Sequence, residues 1–98
     1  MQLLTQALKR KLPQLYSQED VEDPLVIAKF FTPDAQWTWY AIEFDGEDLF
    51  FGYVVGPFPE LGYFRLSELE QVRGVLGLPV ERDLWFDPCR LSTIQAAV

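Results

Sequence analysis

The sequence has no histidine, a single cysteine and a single methionine. Without an imidazole neither a Ser-His-Asp nor a Cys-His catalytic arrangement can form, and a histidine-ligated zinc site is excluded with them. Cys89 has no second thiol with which to close an internal disulfide, which fits a reducing compartment such as the cytoplasm. Cys89 has no imidazole to activate it, only Arg90 beside it, so it is read as an inert thiol. No apolar run approaches the roughly 20 residues of a membrane-spanning helix. The opening Met-Gln-Leu-Leu-Thr lacks the basic and then apolar layout of a secretion signal, so a cytoplasmic chain is expected. Basic residues are also few, eight Lys and Arg against fifteen Asp and Glu, for a net charge of −7. The deficit is uneven. Lys9, Arg10 and Lys11 give residues 1–17 a charge of +3, whereas residues 18–98 set all fifteen acids against Lys29, Arg65, Arg73, Arg82 and Arg90, a balance of −10. Such a chain repels a phosphate backbone, and direct nucleic-acid binding is not expected; its charge suits a protein partner with a basic surface.

The chain has a hydrophobic fraction of 49% with eight Phe, four Tyr and three Trp, far too apolar for disorder. Its 98 residues have room for one core, and a single domain over residues 1–98 is expected, with residues 87–98 holding a weak helical turn or fraying. Thr5 is a candidate N-cap, and Leu4, Leu8, Leu12 and Leu15 give residues 5–12 an amphipathic helical spacing that Pro13 ends. Residues 18–24, with four acids and a closing proline, read as a solvated loop. Three strands follow, over 25–31, 37–45 and 49–55, the last two joined through Asp45-Gly46, a combination favoured in hairpins. Residues 56–62, with two prolines and two glycines, read as irregular, and 63–65 as a brief fourth strand. Ser67 and Glu70 match a capping box for a second helix ending near Arg73, and residues 84–86 read as a short edge strand. The fold expected is α+β: an antiparallel meander of three to five strands with an N-terminal helix and a second short helix against mainly one face.

Strict alternation along the second strand puts Thr38, Tyr40, Ile42 and Phe44 on one face and Trp37, Trp39, Ala41, Glu43 and Asp45 on the other. Glu43, Asp45, Glu47 and Asp48 form the densest acidic group, around the hairpin tip. Carboxylates in such a group can work as acid and base or hold Mg²⁺ or Ca²⁺, but the spacing does not match an EF-hand loop. Neither GxGxxG nor GxxxxGK[ST] is present, so no phosphate cradle is supported. No cofactor and no metal are assigned, and no catalytic residue is named.

The stretch KFFTPDAQWTWYAIEFDGEDLFFGYVVG, followed by ELGYFRLSELEQVRGVLGLPVERDLWF, resembles a family of small bacterial domains of unknown function, over about Leu3 to Phe86. The resemblance implies carriage on plasmids, phages and other mobile elements, at times beside antirestriction-type proteins, and it assigns no functional residue. The expectation is therefore a non-enzymatic acidic binding protein, an inhibitor of a host nucleic-acid-targeting defence complex of the anti-restriction or anti-CRISPR type. In that reading Glu43, Asp45, Glu47 and Asp48 contact the partner, with Trp37 and Trp39 as anchors. The alternatives are a small hydrolase using carboxylates and a divalent metal, and an accessory interaction domain of a larger assembly.

Overall fold

A computed structural model describes all residues, Met1–Val98. The first helix, α1 (Gln6–Lys11), is capped as its sequence predicts, with the Thr5 hydroxyl accepting the Leu8 N–H at 3.2 Å. Strands β1 (Leu25–Val26), β2 (Ala28–Phe31), β3 (Thr38–Phe44), β4 (Leu49–Val55) and β5 (Pro59–Arg65) follow, then α2 (Leu66–Gln71), β6 (Glu81–Arg82), β7 (Cys89–Arg90) and α3 (Leu91–Ala97). The main sheet is antiparallel in the order β5-β4-β3-β2-β6, and β1 pairs with β7 in a second, two-stranded sheet. This is the α+β meander expected, with α3 as a third helix.

Apolar side chains lie on both faces of the sheet. On one face Phe30, Trp39, Ala41, Phe44, Phe50 and Phe64 pack under Leu3, Leu4, Leu12 and Leu69, so the N-terminal segment and α2 form its cover. Phe50 has its ring centroid 4.5 Å from that of Phe44 and 5.1 Å from that of Phe64. It is fully buried, so its truncation to alanine should cost about 3–5 kcal/mol. On the other face Val26, Ile42 and Tyr53 pack under Leu91 and Ile94 of α3.

The alternation expected of β3 fails at one residue. Ala41 pairs with Gly52 but Glu43 pairs with Phe51, so Ile42 is an extra residue, a bulge. Before it, Trp39 and Ala41 face the first core; after it, Phe44 does, while Ile42 joins the second core. Gly52 accommodates the distortion, because a Cβ there would lie 1.9 Å from the Tyr40 carbonyl oxygen.

Three other elements depart from expectation. Pro59 and Gly62 lie within β5 instead of breaking the chain, because β5 is an edge strand and Pro59 is its first residue. Residues 84–86 do not form the edge strand, which falls on Glu81–Arg82. Ser67 is not an N-cap: its N–H and hydroxyl both donate to the Asp48 carboxylate at 2.8 Å, so α2 is capped from the β3–β4 turn. The same device recurs at α3, where the Ser92 N–H (2.9 Å) and hydroxyl (2.6 Å) donate to Asp23.

Candidate functional site

The bulge turns Glu43 toward the face that α3 only partly covers, and the chain between α1 and β1 closes over its carboxylate. The Tyr16 N–H donates to Glu43 Oε1 at 3.0 Å and the Gln18 N–H to Oε2 at 2.8 Å. Two near-successive backbone donors aimed at one carboxylate make an anion-holding concavity. To form it Tyr16 adopts φ 69°, the only positive φ at a non-glycine residue in the chain. The left-handed conformation costs a side-chain-bearing residue roughly 1–2 kcal/mol, and such strain is kept at functional sites.

Glu43 is only 3% exposed, yet it has no cation. The two ion pairs of the chain, Lys29–Asp83 and Arg65–Asp48, both at 3.7 Å, leave it out. Buried charges are as a rule paired, because transfer from water is costly unless an opposite charge offsets it. Here two backbone N–H groups satisfy the oxygens, and no lysine or arginine pairs with them.

Glu43 is among the residues that line a cleft of about 470 Å³. Ile42, Phe51, Leu61 and Tyr63 supply sheet residues, and Tyr16, Gln18, Glu19, Val21, Glu22, Pro24 and Leu91 come from the covering segments. Glu19, Glu22 and Glu43 are its charged residues; no lysine or arginine lines it. The rings of Phe51 and Tyr63 meet at a tilt with centroids 5.1 Å apart. The Tyr63 phenol is held above its ordinary value, first by desolvation, then by Tyr16 and by the carboxylates of Glu43 and Glu19. It therefore stays neutral. A cleft with phenol rings and glutamates and no positive charge suits a cation with an apolar stem, the form of an arginine or lysine side chain.

The residues singled out in the sequence do not form one site. Asp45 Oδ1 accepts the N–H groups of Glu47, Asp48 and Leu49 at 2.8–3.0 Å and so shapes the turn. Asp48 caps α2, and Glu47 is exposed at the tip without a side-chain bond. Trp39 is buried in the first core, and the half-exposed Trp37 stacks on it with ring centroids 6.0 Å apart. At about 3.3 Å per strand residue, Trp39 lies roughly 13 Å along the strand from Glu43 and roughly 20 Å from Asp45. No three Asp, Glu or Cys side chains converge to hold a metal ion. Of the six residues, Glu43 alone lines the cleft; Tyr16, Glu19, Glu22, Leu61 and Tyr63 were not anticipated. The one signal pointing to them was the acidic run of residues 18–24.

A family model described as "Protein of unknown function (DUF2958)" matches residues 2–97. The chain belongs to this family. Every element described above, from α1 to α3, falls within the DUF2958 match, so the cleft is part of the family domain. No curated protein and no solved structure matches the chain. No helix is long and apolar enough to cross a membrane.

Proposed function

We propose that this DUF2958 protein is a non-enzymatic protein-binding domain whose cleft receives a cationic side chain from the basic surface of a partner. The observation that carries this reading is Glu43, a buried carboxylate bonded by two backbone N–H groups and left without a cation at the wall of an open cleft. A guanidinium or ammonium group would compensate that charge, while Tyr16 and Tyr63 pack along its stem. Glu19 and Glu22 add attraction at longer range and favour fast, salt-dependent encounter.

Within this reading the protein acts in the bacterial cytoplasm for a mobile genetic element, as an inhibitor of a host nucleic-acid-targeting complex. The excess of acids over residues 18–98 supports it, since carboxylates can occupy a basic surface that otherwise meets phosphate.

The test is affinity capture from bacterial lysate at low and high salt, comparing the wild type with a Glu19→Gln, Glu22→Gln, Tyr63→Ala variant and with Glu47→Gln. A nucleic-acid-handling protein retained at low salt by the wild type and by Glu47→Gln, and lost by the cleft variant, is the result expected. Identical captures by all three, or no specific protein at all, would contradict the reading.

A further inference from the structure

The outer edge of β5 lies along the cleft that the proposed function uses, and that edge has no partner. β5 is the terminal strand of the five-stranded sheet and pairs over its whole length, Pro59 to Arg65, with β4 alone. The register shows which of its backbone groups are free. The Leu66 N–H donates to the Asp48 carbonyl, so Asp48 and Leu66 are a hydrogen-bonded pair in the β4–β5 register. Bonded pairs alternate in an antiparallel ladder, which assigns Phe64, Gly62 and Glu60 to bonding toward β4 and turns the N–H and C=O of Leu61 and Tyr63 outward. Outside the ladder, no backbone hydrogen bond reaches the N–H or C=O of Leu61 or Tyr63. Natural edges are guarded by charged side chains, prolines, bulges or covering elements, and β5 has Pro59, Glu60 and Arg65 at its ends but none of these between them. Leu61–Phe64 carries no charge, its pairing has no register shift, and the Leu61 and Tyr63 side chains are half exposed, at 50% and 53%.

These two residues also line the cleft. In antiparallel addition the residues opposite Leu61 and Tyr63 would exchange both backbone bonds with them and place their side chains on the same face, which is the cleft face. One added strand therefore satisfies the free edge and presents alternate side chains to Glu19, Glu22 and Glu43.

We propose that the partner binds as an extended segment that adds to β5 as a sixth strand, with arginine or lysine at the alternate positions facing the cleft. Main-chain bonds supply register and affinity, and the acidic cleft supplies the preference for basic side chains. A second copy of this chain fits the site less well, because it brings its own net charge of −7 to an acidic cleft. The inference rests on the cleft reading above, and the test separates the two.

The probe is a short synthetic peptide alternating arginine and valine, titrated into the folded protein and followed by amide NMR signals. Three analogues accompany it: one N-methylated at the arginine amides, one N-methylated at the valine amides, and one with citrulline for arginine. The expected result is that methylating the arginine amides weakens binding about tenfold or more, the loss of two or more backbone hydrogen bonds. Methylating the valine amides should leave binding within about twofold, because in this register those amides face away from β5. Equal binding of both methylated peptides overturns strand addition and leaves the cleft reading standing. Undiminished binding of the citrulline peptide overturns the cleft reading, and strand addition then stands or falls on the methylated pair. Failure of the parent peptide to bind overturns strand addition by a basic segment, as does a dimer in sedimentation with the Leu61 and Tyr63 amides protected from exchange.

Discussion

Replacing Glu43 by glutamine keeps the length and shape of the side chain and removes its charge. The wild-type carboxylate accepts the Tyr16 and Gln18 N–H groups through separate oxygens. Glutamine offers one oxygen and one NH₂ group, so one backbone donor must face another donor. A hydrogen bond to a charged group contributes about 1.5–3 kcal/mol, and one of two is lost. Removing a buried charge without a counter-ion returns part of that, since its desolvation cost disappears. The net expectation is a destabilisation of about 1–2 kcal/mol, and for a domain of this size a fall in Tm of roughly 5–15 °C. Urea and thermal unfolding followed by tryptophan fluorescence will read it, because Trp39 is buried in the core. Glu43→Ala leaves both donors without a partner and should cost more than Glu43→Gln. A Glu43→Gln protein as stable as the wild type, or more stable, would refute the reasoning, because the carboxylate would then not be the group that holds the Tyr16–Gln18 turn.

Gly52→Ala should prevent normal folding, since its Cβ would meet the backbone oxygen of Tyr40 at the bulge and not a movable side chain; the soluble yield and far-ultraviolet circular dichroism will show it. Acidification should weaken the fold in a predictable direction. Asp23, through the Ser92 hydroxyl, Asp48, through the Ser67 hydroxyl, and Asp45, through the Glu47 N–H, all titrate below the ordinary 3.8. Groups with a depressed folded-state value contribute stability that is complete above the unfolded value and is lost as pH falls through the folded one. Tm should therefore fall as pH drops through and below 3.8, and Asp23→Asn or Asp48→Asn should make that fall shallower. Trp85→Ser should change stability by less than about 0.5 kcal/mol, because Trp85 is 91% exposed; a larger loss in urea unfolding would contradict its placement.

Features whose cause lies within a few residues were legible in the sequence. The Thr5 cap, the Asp45-Gly46 turn and the strand over 49–55 all depend on local chemistry, and the structure has them where they were expected. Features decided by a distant residue were not. Ser67 has the sequence of a capping box, but Asp48, brought alongside by the β4–β5 pairing, offers a charged acceptor for both of its donors. The bulge at Ile42 depends on Gly52 of the neighbouring strand, and it reverses the face assigned to every later residue of β3. Pro59 and Gly62 look like breakers until β5 is known to be an edge. The cleft belongs to the same class. Tyr16, Glu43 and Tyr63 come from three separate segments, and only the bulge and the strained turn at Tyr16 bring them together.

The most direct test of the cleft is a titration of isotope-labelled protein with N-acetyl-arginine methylamide, with the citrulline analogue as control. Saturable shifts of the Tyr16, Gln18 and Tyr63 amides that are suppressed by salt, absent with citrulline and lost in Glu19→Gln, Glu22→Gln are predicted. No shift at these residues, or the same shift with citrulline, would contradict a cleft built for a cationic side chain.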